Sequence, residues 1–427
     1  MRVAWPLLER SWREEAPSHW AEARVGEVAL LTNGYPFDSA TFGPSGAMPL
    51  ARIRDLGPGP LETWVPDPVP PAVVLRDGDV VIGMDGDFNL AWWNKGPAAL
   101  NQRLCLLRAK EDRVLQRYLV YVLPRTLGVI NDLTYFTTVK HLASGDLLAE
   151  KLLLPPVEEQ RRIVEYLDTE TARIDELLAE LHRLGAVIAE RSMSEQQRLA
   201  TQGCAGERLI SSRLSWLGDV PASWQVVPLK SVARMESGHT PSRSRPELWE
   251  DCYIPWISLN DVGKLTVNEY IDSTVNLISL AGVGASSARV LPAGTVVLSR
   301  DATIGRTSIM AVPMATSQHF AAWVCGPRLE PRYLWLLFTT AMQTYLGSLC
   351  EGSTIRTIGM PELRTFKIPL PPVEEQQRII DEAESARVTA RSLAEEIGQQ
   401  AALLREHRQA LITAAVTGGL EAVGRVA

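Results

Sequence analysis

A ten-residue sequence occurs twice, almost unchanged, in this chain of 427 residues. LPPVEEQRRI begins at Leu154 and LPPVEEQQRI begins at Leu370, so nine of the ten letters agree at a spacing of 216 residues. A match of this length does not arise by chance, and an internal repeat constrains the fold more than any single motif does. The chain therefore contains two copies of one structural unit.

The repeat extends through most of each copy. Gln102 aligns with Gln318 at the same spacing of 216 residues. Nearer the start of each copy the spacing shortens to 204 residues, where Trp20 aligns with Trp224 and Gly34 with Gly238. Short insertions therefore separate two otherwise equivalent halves.

Each copy begins with a segment typical of a globular lobe, at about residues 20–155 and 224–371. Both segments are rich in Gly, Pro, Trp and β-branched residues, and their short apolar runs end at Gly or Asp, which indicates strands and turns. We expect a helix near Tyr118 and another near Tyr333, and we expect the Pro-rich residues 57–71 to form a loop or an edge strand. A mixed lobe of helices and strands follows.

Each copy ends with a Pro-free segment, from Val157 to about Gln202 and from Val373 to about Val416. A double proline followed by two glutamates in the first turn favours the start of a helix. Apolar residues then recur in steps of three and four, which predicts two helices of roughly 65 Å that pair as a coiled coil. The predicted seam residues are Leu167, Ile174, Leu177, Leu181, Leu184 and Ile188 in the first helix, and Ile379, Ala383, Ala386, Ala390, Leu393, Ile397, Leu404 and Leu411 in the second, where Gln400 and His407 fill the gaps.

The predicted fold class is α+β. Two α/β-type lobes are joined by two long antiparallel coiled-coil helices in a pseudo-two-fold arrangement, because duplicated halves favour symmetric packing. The predicted divisions are a first lobe with its N-terminal segment (residues 1–155), a central helix (156–203), a second lobe (204–371) and a C-terminal helix (372–427).

The formal net charge of −7 comes from the two helices. Val157 to Gln202 carries ten acidic and six basic residues, and Val373 to Val416 carries eight and five, so the rest of the chain is neutral. Within the second lobe, residues 228–245 hold Lys230, Arg234, Arg243 and Arg245 against Glu236 alone. Basic and hydroxyl side chains on such a loop suit contacts with phosphates and base edges, whereas an exposed hairpin without function is the simpler interpretation.

Familiar catalytic motifs are absent from the sequence. It contains no GxxxxGK[ST] phosphate loop, no GxGxxG, no Asn-Pro-Pro or Asp-Pro-Pro motif of amino-methyltransferases and no Glu-x-Lys of common nucleases. Its six histidines form no HxxxH or HExxH, and the run Asp85-Gly86-Asp87 fits a turn better than a carboxylate pair. We therefore expect a binding protein with no catalytic residues and no metal ligands.

Five scattered cysteines without a CxxC pair indicate a reducing compartment. Charged residues interrupt the first fifteen positions, and no apolar run approaches the roughly 20 residues that span a membrane. We therefore expect a cytoplasmic protein with no membrane contact.

These features together resemble the specificity subunit of Type I restriction–modification systems. The specific pieces are the two LPPVEEQ motifs opening long helices, the run SWLGDVPASW from Ser215 to Trp224, and the ending RQALITAAVTG from Arg408 to Gly418. The first helix ends in ATQGCA from Ala200 rather than in the AAVTG form, which puts strict equivalence of the two helix ends in doubt.

The resemblance implies that each lobe is a target recognition domain that reads one half of a bipartite site in double-stranded DNA. The helices would set the spacing and dock two methyltransferase (modification) subunits. No cofactor would bind this chain: S-adenosylmethionine would come with those subunits, and ATP and Mg with the motor-nuclease (restriction) subunits. Insertion of about one helical turn near Gln202 should then lengthen the unread gap.

Several polar side chains are candidates for these contacts. The expected DNA-binding residues of the first lobe are Asn33, Tyr35, Arg52, Arg54, Asn94, Lys95, Thr138 and Lys140. Those of the second lobe are Gly238, His239, Thr240, Ser242, Arg243, Arg245, Arg300, Thr303, Arg306, Thr354 and Arg356. The expected partner-binding residues are Glu158, Glu159, Gln160, Glu374, Glu375 and Gln376.

Two other functions stay open on the sequence. One is a single-chain DNA-modifying enzyme with an unfamiliar site, which would turn over without partners. The other is a stand-alone DNA-binding scaffold or repressor, which would have no methyltransferase or helicase-nuclease among its neighbouring genes.

Overall fold

A computed structural model describes residues 16–419, except residues 67, 111, 134–139, 302 and 350–356. The chain divides into two units, Met1–Leu181 with Gln399–Ala427, and His182–Gly398. Three predicted site residues, Thr138, Thr354 and Arg356, lie outside the described residues.

Unit 1 contains the first lobe. Its strands are β1 (Ala21–Arg24), β2 (Ala29–Asn33), β3 (Met48–Ala51), β4 (Trp64–Val65), β5 (Val74–Leu75), β6 (Val80–Gly83), β7 (Leu90–Trp92), β8 (Ala98–Leu100), β9 (Leu104–Ala109) and β10 (Lys151–Leu154). Its helices are α1 (Val25–Val28), α2 (Gln116–Leu133), α3 (Ser144–Ala149) and the first part of α4 (Val157–Gln202).

Two four-stranded sheets and a helix layer form the main part of this lobe. One sheet has the antiparallel order β2-β9-β6-β7, and the other has the order β4-β3-β8-β5, in which β3 and β8 run parallel. Successive residues of β6 face opposite ways, so Val80 and Ile82 pack with α2 whereas Val81 packs with the second sheet. The described part of the Pro-rich segment, residues 57–66 and 68–71, is loop apart from the edge strand β4 and the start of a short 3₁₀ turn, which confirms the prediction for these residues.

Unit 2 contains the second lobe. Its strands are β11 (Leu209–Ser211), β12 (Asp219–Pro221), β13 (Gln225–Pro228), β14 (Ala233–Ser237), β15 (Ile254–Ile257), β16 (Tyr270–Ile271), β17 (Asn276–Ile278), β18 (Val296–Ser299), β19 (Thr307–Met310), β20 (Ala315–Thr316), β21 (Phe320–Cys325) and β22 (Lys367–Leu370). Its helices are α5 (Val262–Val267), α6 (Leu280–Gly284), α7 (Pro331–Thr339), α8 (Gln343–Ser348), α9 (Met360–Arg364) and the first part of α10 (Val373–Val416).

The second lobe repeats the layers of the first. Its larger sheet has the order β14-β21-β18-β19-β16, and β17-β15-β20 forms the second sheet. Val296 and Leu298 pack with α7 on one face, and Val297 packs on the other. The expected helices near Tyr118 and Tyr333 are α2 and α7, and both tyrosines are fully buried.

The repeated LPPVEEQ motif builds the junction between lobe and helix in each unit. In unit 1, β1 pairs with β10, the double proline follows, and α4 begins at Val157. In unit 2, β13 pairs with β22 and α10 begins at Val373 in the same way. Both helices therefore begin at the residues that the sequence predicts.

The long helices pair antiparallel within each unit. In unit 1, Ile163 and Leu167 share a core with Ile412 and Val416. In unit 2, Leu199 of α4 shares a core with Ile379, Ile380 and Ala383 of α10. The α+β class and the antiparallel pair are confirmed.

The seam differs from the predicted one at several positions. Leu177, Leu184 and Leu393 are 40% or more exposed, and the less exposed positions of α4 run through Thr171, Ile174, Leu178, Leu181 and Gly185. In α10, Ala401 is buried and Arg408 is half-buried, where Gln400 and His407 had been predicted. The physical reason is that adjacent leucines at 177 and 178 both satisfy a three–four pattern, so packing alone chooses between the two faces.

Candidate nucleic-acid interface

The turns at one end of the large sheet in each lobe bring several polar side chains together. In the first lobe, the last residues of β2 and β6 and the first residues of β9 lie at the same end of the sheet, because β9 runs antiparallel to both neighbours. We call the side chains carried there the first sheet-end cluster, which consists of Tyr35, Asp85, Gln102, Arg103 and His141.

Asp85 holds the first sheet-end cluster together. Arg103 Nη1 donates to one carboxylate oxygen at 2.6 Å, and His141 Nδ1 lies 2.7 Å from the other. Burial opposes ionisation of Asp85, yet the hydrogen bonds to His141 and Arg103 keep its pKa below the usual value. The ion pair with Arg103 is therefore present at neutral pH and is lost only as the pH falls through this lowered pKa.

The second lobe carries an equivalent second sheet-end cluster with different side chains, which consists of His239, Asp301, Gln318, His319 and Thr357. Asp301 occupies the place of Asp85, with His319 Nδ1 at 2.7 Å and the Thr357 hydroxyl donating to the other oxygen. Gln318 accepts a hydrogen bond of 2.6 Å from Thr240. The same backbone therefore presents Arg103 and His141 in one lobe, and His319 and Thr357 in the other.

A glycine lets the chain pass close to the sheet before each cluster. A Cβ at Gly34 would overlap the carbonyl oxygen of Asn101, and one at Gly238 would overlap that of Thr316. The next residue is then fixed by its backbone, since Tyr35 N–H donates to Leu100 at 2.9 Å and His239 N–H to Thr316 at 3.0 Å.

We expect Gly238→Ala to lower the free energy of unfolding of the second lobe by about 3 kcal/mol, because the backbone oxygen of Thr316 has no flexible side chain to move aside. Gly398→Ala is the matched control: its Cβ meets nothing within 4 Å inside a helix, so it should raise stability by up to about 1 kcal/mol. Thermal unfolding measures both, and equal effects of the two substitutions would contradict the close approach.

Three predicted first-lobe residues lie at the sheet end. Asn33 closes β2 and accepts from Ser144 at 2.7 Å, Tyr35 is 45% exposed, and the carbonyl of Lys140 accepts from the Gly86 N–H. Their assignment to DNA stays a prediction.

The other predicted first-lobe residues lie beside the second sheet. The Lys95 ammonium donates to three loop carbonyls between residues 55 and 59, at 2.6–2.9 Å, and Arg52 contacts Asp55. Arg54 and Asn94 are exposed. Lys95 thus has a structural task in holding its loop.

In the second lobe, Gly238, His239 and Thr240 lie at the cluster, and the carboxylate of Asp301 is 3.6 Å from Arg300 Nε. Exposed Thr303 and Arg306 lie in the turn that follows. The remaining predicted residues lie farther along the loop: Ser242 bonds with Ser244, Arg243 stacks on Trp249, and Arg245 pairs with Glu247.

Four of the six predicted partner-binding residues are enclosed within their own lobe. Gln160 is fully buried, donates to the carbonyls of Arg113 and Pro155, and accepts from the Leu115 N–H. Glu159 accepts from the indole N–H of Trp20 at 2.9 Å.

The second copy repeats these bonds. Gln376 bonds to Glu330, Arg328 and Pro371, and Glu375 accepts from Trp224 at 3.0 Å. A side chain held this way offers no surface to another subunit, which corrects the prediction for these four residues. Glu158 and Glu374 are exposed and remain candidates.

Sequence reasoning missed Asp85, Arg103, His141, Asp301, His319 and Thr357 as site residues. The 216-residue spacing contained the signal, because each first-lobe member pairs with a second-lobe member at that spacing, next to the aligned pair Gln102 and Gln318. The sequence around Asp85 predicts only an ordinary turn. No pattern within one copy shows that the turns carrying Asp85, Arg103 and His141 lie together in the fold.

The comparison with protein families decides the classification. The sequence model described as "Type I restriction modification DNA specificity domain" matches residues 17–182 and 221–382, once in each half. The chain belongs to this family. The two matches cover both lobes and the beginning of each long helix, as the repeat predicts.

Curated relatives agree with this assignment. The chain is 27% identical over 422 residues to the Type I restriction enzyme EcoBI specificity subunit of Escherichia coli, covering 95% of this chain and 87% of the relative. It is 33% identical over 164 residues, 38% of each chain, to the MjaIX specificity subunit of Methanocaldococcus jannaschii.

Solved structures share the fold. A chain from a study of complex assembly and conformational transition of the type I R-M system has a TM-score of 0.69 at 21% identity, over 94% of this chain and 98% of that one. The HsdS subunit from Thermoanaerobacter tengcongensis has a TM-score of 0.54 at 20% identity, with the same coverage.

Two kinds of feature are missing from the described residues. No helix among them is both long and apolar enough to cross a membrane. Within residues 16–419 and outside the undescribed gaps, no three His, Cys, Asp or Glu side chains are placed to hold a metal ion.

Proposed function

We propose that this chain is the DNA-recognition subunit of a Type I restriction–modification complex, in which each lobe reads one half of a bipartite target through its sheet-end cluster. The observation that carries the proposal is that the two clusters have equivalent backbones and different side chains. Because the backbones of the two clusters are equivalent, both lobes can dock on duplex DNA in the same way. Because their side chains differ, the two lobes can read different half-sites.

The side chains of the two clusters suit base edges. Arg forks onto the two acceptors of guanine, and each good base contact is worth about 1–3 kcal/mol of discrimination. Arg103 is 60% exposed although Asp85 fixes one of its nitrogens, so the rest of its guanidinium is available. His319 and exposed Gln318 offer shorter donors and acceptors to a different sequence.

In this proposal the chain carries no catalytic group, and its partners supply the chemistry. Methyltransferase subunits would bring S-adenosylmethionine and dock on the long helices, whose net charge is acidic. Motor-nuclease subunits would bring ATP and Mg. Incubation of the pure chain with DNA and S-adenosylmethionine should transfer no methyl group, and turnover by the chain alone would contradict this part.

Paired substitutions test the assignment of one lobe to each half-site. We expect Arg103→Ala to relax base preference by about 10–100-fold at positions of one half-site only, and His319→Ala to relax the other half only. Selection from a randomised duplex library by the full-length chain in its complex gives both half-sites at once. The unchanged half is the control for folding, and loss of preference in both halves from either change would contradict the proposal.

A further inference from the structure

A groove along the edge strand β14 is lined by exposed cations. It has a volume of about 760 Å³ and runs between β14, the end of β21 and helix α9. Its exposed basic side chains are Lys230, Arg234, Arg328 and Arg364. We call this surface the β14 groove.

The positive charge of the β14 groove is largely uncompensated. Among the described residues that line it, Glu236 is the one acidic side chain; it is 9% exposed and already pairs with both Arg234 and Arg289. Among the described residues, Lys230, Arg328 and Arg364 make no ion pair. Three free cations therefore remain along one edge of a lobe whose sequence is otherwise close to neutral.

The first lobe carries only part of this charge at the equivalent positions. Arg234 corresponds to Leu30 at the 204-residue spacing and Arg364 to Leu148 at the 216-residue spacing, so these two cations have no counterpart. Arg328 does have one, because Gln376 donates to the carbonyl of Arg328 as Gln160 donates to that of Arg113. Lys230 corresponds to Gly26, whose carbonyl accepts from the Lys110 ammonium at 3.3 Å. The fold of the lobe therefore does not require Arg234 or Arg364, and the second lobe has the larger positive charge at this place.

The groove is continuous with the second sheet-end cluster. β14 leads from Arg234 to Ser237, and His239 follows two residues later, so about 16 Å of extended chain separates Arg234 from the cluster. The major groove of DNA is about 12 Å wide. A lobe that reads base edges with its sheet end would therefore have the β14 groove beside the flanking sugar-phosphate backbone.

We propose that the β14 groove binds the phosphate backbone of duplex DNA, so that its cations supply part of the sequence-independent affinity of the second lobe. The proposal rests on the proposed function only in taking DNA as the ligand. Lys230, Arg328 and Arg364 act on phosphates without reading sequence, and the side chains beyond Ser237 contact bases. An acidic protein is the rival ligand, which the continuity with the cluster disfavours.

Salt dependence of binding tests the groove directly. The double variant Lys230→Gln with Arg364→Gln removes two free cations, and Arg76→Gln with Arg208→Gln removes two exposed cations outside the groove as a matched control. Binding of the full-length chain to a random-sequence duplex is measured between about 50 and 200 mM KCl. We expect the slope of log affinity against log salt to fall by about 2 in the groove variant and to stay unchanged in the control.

Several outcomes would overturn the proposal: an unchanged slope in the groove variant, an equal fall in the control, or no binding by the parent chain at about 50 mM salt. Loss of binding to polyglutamate with an intact DNA slope would assign the groove to an acidic protein instead. The random duplex contains no target, so this result is independent of half-site selection. The two proposals can fail separately. If the chain showed no sequence preference but the groove variant still lowered the slope of log affinity against log salt, the proposed function would be refuted and the groove would remain a phosphate-binding surface.

Discussion

Replacement of Gln376 by alanine is expected to lower the free energy of unfolding of unit 2 by roughly 3–5 kcal/mol. Its side chain is fully buried and bonds to the Glu330 N–H at 2.8 Å and to the carbonyls of Arg328 and Pro371 at 2.8 and 2.9 Å. Alanine leaves three backbone groups without a partner, and each such group costs about 1–3 kcal/mol. A loss of this size is a large share of the stability of one domain.

Gln377→Ala is the matched control, because this neighbour occupies the same helix turn, is exposed, and donates to exposed Asp381 at 2.8 Å. It should change stability by less than about 0.5 kcal/mol. Hydrogen exchange at the start of α10, together with thermal unfolding, separates the two variants. Gln160→Ala should have the corresponding effect in unit 1. Equal stability of the Gln376 and Gln377 variants would refute the junction role.

This junction explains why the motif occurs twice. The prolines separate strand from helix, the second glutamate binds a tryptophan indole, and the glutamine satisfies the backbone of the segment that leads into α2 or α7. The second glutamate and the glutamine of each motif are buried, and each lobe needs them for its own folding. Packing within each unit therefore accounts for the repeated second glutamate and glutamine, and it does not account for exposed Glu158 and Glu374.

Lengthening both long helices by one heptad is expected to abolish binding to the native target and to select a longer unread gap. Duplication of residues 178–184 in α4 and 399–405 in α10 keeps the half-buried Leu178 and Leu181 in register with the seam. Seven residues add about 10.5 Å, or about three base pairs if the added length lies along the duplex. Specific binding exceeds non-specific binding by about 10³ or more, which is the expected loss on the native spacing.

The place of this insertion follows from the structure. An insertion near Gln202 would break the junction, because Leu199 and Ala200 are buried there against the second lobe. Duplication in α4 alone is the control, because it shifts the seam residues of α4 out of register with those of α10 and should destabilise the chain. Selection from a library with variable gaps measures the result. Altered half-site bases with an unaltered gap would show that the helices do not set the spacing.

Much of the fold was predictable because it depends on local chemistry. Double proline and acidic first turns predicted the starts of α4 and α10, and the long Pro-free segments predicted their approximate ends. The heptad pattern predicted that the two long helices pair, but it did not predict which face of α4 packs against α10. Leu177 and Leu178 are equally apolar, and only the packing leaves Leu177 exposed.

The candidate site was less predictable. Glycines that approach another strand, such as Gly34 and Gly238, were visible in the repeat, yet the reason for them is a carbonyl oxygen that lies about seventy residues away in sequence. The burial of Glu159 and Gln160 could not be predicted, because charged and amide residues at a helix start are ordinarily exposed. Here both are buried by the lobe that precedes them.

The amino-acid sequence by itself determined the duplication, the two long helices and the family, because each depends on letters that lie close together or recur at a fixed spacing. Only the tertiary structure decided which side chains meet at the sheet ends, which cations line the β14 groove, and which motif residues are buried. Those outcomes depend on where turns from distant strands come together, and hydrogen bonds such as those of Asp85 and Asp301 form only after the sheets have assembled.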